Sequence, residues 1–575
     1  MKKIYGLAAL CAAMSLASCS NEGQEPDMTQ TNSSNLETCY IAVNLATPGD
    51  ETRAADNDDN AVAGESTVKD FKLVIFDQSN QVILTTPALT VDSEWVNGSG
   101  EVSIKTKEPK IVTVTKDDTK TISGIICIAN APADLTYAAT THVDDVRKDL
   151  LSKCYIEEGT SPNTTKYFTM TNAATVNTGV DGNPAAYMAV PSAVNIATSP
   201  TAAKSNPIDI YIERVAARVD AVQTGTFDVT EAADVCKDEN GNSINLKVVL
   251  TGMDFYKTPE NANLIKNIDS FAGSSYSAST PFTGWSETFR THWGENCATP
   301  NCLPLFFSTA TPKDASGTNL TTGNYRKASD HTYAEGTSRE YLQEYMPNGT
   351  NLTVADKTAI ILTGYIAKEG ENKPYTGGIY QLWQDGNYYT KTGALTILAD
   401  YLTAEGYIWK KVENGNTATL SISAGDLDLQ DGYENYDSYV KINAKSGYTL
   451  YNGSVATTTT AVNAAIKSTA KDSAKSTYRV YVYGGSNTYF YATIQGEDGN
   501  NKSIPAGLVR NHIYEINMLS IGGLGNPKRD PNTEIIPTPI DKTSNGGDKS
   551  YFATTINIIK WKHYTQGVNF GTQTN

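Results

Sequence analysis

Short stretches of alternating apolar and polar residues recur along the chain, each closed by turn-forming residues, the pattern of half-buried β-strands. The first is CYIAVNLA, Cys39 to Ala46, where Ile41, Val43 and Leu45 alternate with Ala42 and Asn44. FKLVIFDQSNQVILTT sets two apolar runs around Asp77-Gln78-Ser79-Asn80 and predicts a hairpin. KTISGIICIANAP predicts a strand ending in turn residues, and IDIYIERVAARVDAVQ alternates again, with a domain boundary expected near residue 213. In the second half LKVVLTGMDFY, TAIILTGYIA, STYRVYVYGG, NTYFYATIQ and VRNHIYEINMLSI read as strands, with Glu497-Asp498-Gly499-Asn500 as a turn. Helical spacing is confined to Val143, Val146 and Leu150, to TILADYLTAEG and to TTAVNAAIKSTAK. The expected class is all-β with a few short helices.

With 575 residues the chain exceeds one ordinary core, so two or more domains are expected. Its 44 Gly and 33 Tyr, on a Thr-, Asn- and Ser-rich background, suit short strands and frequent turns in an extracellular protein. A net charge of −17 excludes a counterion-releasing grip on nucleic acid. Five histidines without metal-site spacing, and no nucleophile elbow, phosphate loop or HExxH, point away from an enzyme: no catalytic, metal or cofactor site is expected. Asp426, Asp428 and Asp431, and likewise Asp238 and Asn240, space oxygen ligands closely but without an EF-hand order, and read as turns. Tyr489-Phe490-Tyr491, and Trp383 with Tyr388 and Tyr389, could stack on sugars but more simply pack a β surface.

Residues 1–18 carry Lys2-Lys3, an apolar run from Ile4 to Leu16 and small residues before Cys19, the layout of a secretory signal. Leu16-Ala17-Ser18-Cys19 resembles the bacterial lipobox, which implies a diacylglycerol anchor on Cys19 and an outer-membrane lipoprotein precursor. Six cysteines remain: Cys39, Cys127, Cys154, Cys236, Cys297 and Cys302. The sequence leaves their pairing open, although Cys297 and Cys302 are close enough to bridge a loop. Arg53, in a small polar stretch, is the only arginine between Cys19 and Arg147 and a natural site for proteolytic nicking. Residues 526–550 read as an extended Pro/Asn/Gly-rich linker that delivers a last strand-like segment, residues 551–575. There Phe552, Ile556 and Ile558 share one alternating face, Ile559 and Trp561 the other, and Val568 and Phe570 follow.

In order, the lipobox, the isolated Arg53, IICIANAP, IERVAARV, EYMPNGT, VRNHIYEI and INIIKW resemble the Bacteroidetes fimbrillins, the type V pilins, and most of all a minor-fimbrium shaft subunit. Residues 255–345 and 395–475 depart from that pattern. The resemblance implies two tandem transthyretin-like β-sandwich domains, residues 54–212 and 213–525, behind a lipidated propeptide, residues 19–53. It implies cleavage of Arg53-Ala54 by an arginine-specific protease and loss of the strand bearing Ile41, Val43 and Leu45. The groove so opened would take the C-terminal segment of the next subunit, giving a homopolymer that carries tip and anchor subunits and supports adhesion and biofilm as an extracellular fimbria. The competing expectations are a monomeric glycan-binding surface lipoprotein and a fimbrial tip or anchor component.

Overall fold

Alternation becomes strand wherever a buried face is available to receive it. The computed structural model describes residues 36–48, 65, 67–91, 95–97, 102–160, 164–173, 187–223, 235–267, 300–328, 337–345, 353–469, 477–494, 507–540, 551–560 and 562–564. Cys297 and the expected turn at Glu497–Asn500 lie outside them. The expected hairpin is present. Strand Asp70–Asp77 turns back into Val82–Thr85 with Asn80 at φ 58°, and the Asp77 carboxylate accepts the amides of Ser79 at 2.9 Å and Gln81 at 3.0 Å. On its other edge Asp70–Asp77 pairs with Ile122–Ala129, whose neighbours in turn are Met170–Asn172, Ile208–Arg214 and the first strand, Leu36–Pro48. Phe71, Leu73, Ile75, Ile125, Cys127 and Phe168 fill the core beneath.

The chain leaves this sheet at Arg214, buries Val215 completely and enters a second unit with Ala216–Gln223. There a five-stranded sheet orders Thr337–Gln343, Ala216–Gln223, His512–Gly522, Tyr551–Lys560 and Lys562–Tyr564. A ten-stranded sheet contains Ser243–Tyr256, Ala359–Lys368 and Asn487–Thr493 side by side. One core built from both sheets, including Val219, Ala221, Leu246, Ile360, Phe490 and Ile516, makes this unit a sandwich. Lys391–Ala404 is a helix capped by Thr390, whose Oγ1 accepts the Gly393 amide at 3.1 Å. With helix Thr459–Thr469 and a four-stranded sheet it encloses a separate core around Leu398, Leu402, Trp409 and Ile466. Thus part of the divergent stretch 395–475 is a small packed unit of its own.

Two expectations need correcting, and the cysteine pairing left open by the sequence is answered for the described residues. The helix carrying Val143 and Val146 ends at Lys148, and Leu150 is 42% exposed, because Leu150–Leu151 pairs with Ala262–Asn263 and the Asp149 carbonyl accepts the Leu264 amide. Residues 526–540 are extended but not a free linker: Asn526–Pro527 pairs with Thr488 and Tyr489, and fully buried Ile535 donates its amide to Leu305. Cys39, Cys127, Cys154 and Cys236 are buried free thiols, and burial pushes Cys154 and Cys236 up to about 12.

The units interlock. Leu264 and Ile265 leave the second unit to fill the first unit's core, Lys266 meets Glu213 at 2.8 Å, and Arg510 donates to Glu344, Asn263 and Leu264. Beside them Arg218 bridges Glu65 at 3.0 Å and Asp220 at 2.5 Å, and Arg339 also reaches Asp220. Burial alone would raise the Asp220 carboxyl, but the Arg218 and Arg339 guanidiniums overcome it and hold it below its ordinary value. A depressed carboxyl stabilises the fold above its unfolded pKa of about 4, and that contribution fades as pH falls below it. Asp220→Asn should therefore lower stability at pH 7 by about 3–5 kcal/mol, and urea midpoints should show the gap from wild type closing on acidification. Leu264→Ala should cost about 2–5 kcal/mol in the same assay.

Candidate functional site: the first strand in its slot

Leu36–Pro48 is bonded along both edges. One edge runs parallel to Ile208–Arg214, from Val43 opposite Ile208 to Ala46 opposite Tyr211. The other is antiparallel to Lys110–Asp117, from Leu36 opposite Asp117 to Val43 opposite Lys110, and then to Val102–Thr106. The β-branched and aliphatic alternation of CYIAVNLA suits such a place because both faces find cover. On the inner face Cys39, Ile41, Val43 and Leu45 are 0–3% exposed and belong to the first unit's core, so the structure brings together the three apolar residues singled out from the sequence.

The outer face is covered as well, which alternation did not disclose. Ala42 is fully buried against Ala197 and Ala203, the latter on the short helix Pro200–Ser205, while Tyr40 exchanges backbone hydrogen bonds with Ala197. Asn44 donates from Nδ2 to Asp209 Oδ1 at 2.9 Å, and the Leu45 amide donates to Thr106 Oγ1 at 3.1 Å. The signal was present as an alanine and an asparagine at the polar positions. Their partners lie up to 165 residues away, beyond the reach of local pattern.

The tail is elsewhere. Tyr551–Lys560 pairs with His512–Gly522 of its own second unit, so Phe552 lies opposite Ile521, Ile556 opposite Ile516 and Ile558 opposite Tyr514. Lys562–Tyr564 then returns along it. Cys19, Arg53, Ala54, Trp561, Val568 and Phe570 lie outside the described residues.

The other candidates are structural. Tyr388 and Tyr389 are buried in two different cores, and Tyr489 and Phe490 are 2% exposed, so these four rings are closed to a sugar, while Trp383 and Tyr491 are half-buried. Asp238 accepts the amides of Asn240 and Asn242, Asp426 accepts from Ser423 and pairs with Lys445, and Asp428 pairs with Lys391. The Asp238 carboxyl is held low by its hydrogen bonds from Asn242 first, then from neighbouring amides.

A family model described as the major fimbrial subunit protein (FimA) matches residues 39–247, beginning at the first strand and running through the crossing between units. A second, the C-terminal part of the type IV major fimbrial subunit protein, fimbrillin, matches residues 481–567. The chain belongs to the fimbrillin family. Both models are of major fimbrial subunits, so they establish the family and not the minor-fimbrium shaft. The stretch between them, residues 248–480, includes the separate helix-and-sheet unit of this fimbrillin. Among solved structures, a fimbrilin from Porphyromonas gingivalis is 10% identical, covers 92% of this chain and 98% of its own, with a TM-score of 0.32. A candidate cell adhesion protein from Parabacteroides distasonis gives 12%, 91%, 98% and 0.32. The C-terminally truncated tip fimbrial protein Mfa3 from P. gingivalis gives 12%, 60%, 84% and 0.24. At such scores the overlap is loose, and membership rests on the two family models. No curated protein matches the chain.

Because Ala42 has no room above it, Ala42→Leu in the full chain should destabilise the first unit by about 1–3 kcal/mol, read as a lower thermal midpoint. Thr38→Leu, at an exposed position of the same strand, should leave that midpoint unchanged.

Proposed function

We propose that this fimbrillin is the shaft subunit of a surface fimbria, exported as a lipoprotein through Cys19, cut between Arg53 and Ala54, and polymerised by strand exchange. The observation that carries the reading is the interior place of the first strand, bonded on both edges from Val43 to Ala46 and buried on both faces from Ile41 to Leu45. Its removal leaves unpaired backbone groups on two strands at once, together with an apolar trough. Ile41, Val43 and Leu45 each contribute about 1.5–3 kcal/mol to filling that trough. An emptied slot of this kind is satisfied by another strand and by little else.

Cleavage alone does not empty it. The strand stays held by its ladders and its core contacts until an incoming segment displaces it, so assembly after the cut should depend on subunit concentration. The supplier is the C-terminal segment of another copy, with Val568 and Phe570 past Tyr564, the last described residue, and Trp561 between two strands paired at home, while Phe552, Ile556 and Ile558 either stay paired there or follow. Slot and tail belong to opposite ends of the sequence and are different surfaces, so the contact is head to tail and extends as an open filament. Tip and anchor subunits end the filament, an arginine-specific protease starts it, and adhesion and biofilm are its use. Without residues 1–53 the formal charge becomes −14, from 43 basic and 57 acidic residues, which keeps shafts apart laterally.

Purified proprotein treated with an arginine-specific protease should acquire Ala54 as its amino terminus and then form SDS-resistant, heat-dissociated ladders. Deleting residues 561–575 should leave a folded, cleaved monomer without ladders. Ordinary fibres from that deletion would refute the tail as donor, and resistance at Arg53 would refute processing.

A further inference from the structure

The slot makes distinct demands on the strand that fills it. Ala42 sits at 0% exposure against Ala197 and Ala203, so its place admits nothing larger than a methyl group. Val43 and Leu45 must be apolar, since both are at most 1% exposed within the core. Asn44, 8% exposed between them on the opposite face, donates its side-chain amide to the exposed Asp209 carboxylate at 2.9 Å. The required order is small, Val-like, Asn, large apolar.

Past Tyr564, the last described residue, the sequence continues Thr565-Gln566-Gly567-Val568-Asn569-Phe570-Gly571-Thr572. Gly567 to Thr572 repeats the chemistry of Ala42-Val43-Asn44-Leu45-Ala46-Thr47 position for position: small, Val, Asn, large apolar, small, Thr. Composition alone yields related strings. Ala193-Val194-Asn195-Ile196-Ala197-Thr198 is held as a helical turn that walls the slot through Ala197, and Ala461-Val462-Asn463-Ala464-Ala465 is committed to a helix. What distinguishes Gly567–Thr572 is its place in the terminal segment, after the last described strand, Lys562–Tyr564.

We infer that Gly567–Thr572 of a second copy is the segment that replaces Ala42–Thr47, in the same direction, with Asn569 taking over the hydrogen bond to Asp209 as the key that sets register. This rests on the strand-exchange reading above and adds to it the residues, direction and register. Gly567 enters the methyl-sized pocket, Val568 and Phe570 occupy the places of Val43 and Leu45, and the segment runs parallel to Ile208–Arg214. A slip of one residue would turn Asn569 into the core and Val568 towards Asp209, so the key and the alternation enforce the same answer. A slip of two would set a glycine opposite Asp209 and forfeit that hydrogen bond.

The test uses arginine-cleaved subunit and a labelled peptide of residues 564–575, with displacement of the excised strand as the readout. Asn569→Asp in the peptide should weaken exchange about tenfold or more, and Asp209→Asn in the subunit should restore it by exchanging the two roles. Gly567→Leu should abolish it. In full-length protein Asn569→Asp should lose ladders and the pair with Asp209→Asn regain them. Ladders unchanged in both Asn569→Asp and Gly567→Leu would overturn the register while strand exchange stands, provided the 561–575 deletion remains monomeric. Loss with Asn557→Asp in place of Asn569→Asp would overturn it in favour of Ile556-Asn557-Ile558. Polymerisation of the deletion would remove the reading beneath.

Discussion

A strand bonded on both edges cannot be half present. Each of its amides and carbonyls answers a group on a neighbour, and those neighbours have no second partner while the slot is empty. From Val43 to Ala46 the first strand stands in that position, and from Ile41 to Leu45 its inner and outer faces are both buried. The first unit is therefore complete with this strand or with a faithful substitute. A substitute must match the ladder, the apolar face, the methyl-sized pocket at Ala42 and the carboxylate of Asp209.

The second unit repeats the arrangement. Ala216–Gln223 lies parallel to His512–Gly522 and antiparallel to Thr337–Gln343, as the first strand lies between Ile208–Arg214 and Lys110–Asp117. The difference is covalent. Ala216–Gln223 continues directly from Ile208–Arg214 through the fully buried Val215. Both units are built from one scheme of strand order around such a strand.

Buried side chains join the two units. Leu264 and Ile265 cross from the second unit into the first unit's core, and Glu213, Glu65 and Glu344 each find a buried cation at the junction. Broken singly, such pairs are expensive. The core next to the slot thus has a wall supplied by the other unit, independent of the first strand. Much of the chain between the two family-matched stretches goes into a separate small core around Trp409, away from the slot's own residues.

Local pattern determined a good deal. The alternation of Ile41, Val43 and Leu45 marked a one-faced strand, Asp77 to Asn80 marked a hairpin, and the break within IERVAARV lies where the chain changes sheets, because side-chain period and turn chemistry act over a few residues. The helix through Leu150 and the linker through Ile535 were misread for the same reason: each was redirected by a strand or carbonyl more than 100 residues distant. Sequence named the apolar half of the slot and the family. Tertiary structure alone decided that the strand is interior, that Ala42 has a ceiling and that Asn44 has a partner, because parallel pairing with Ile208–Arg214 and the contact with Asp209 join residues that no local periodicity connects.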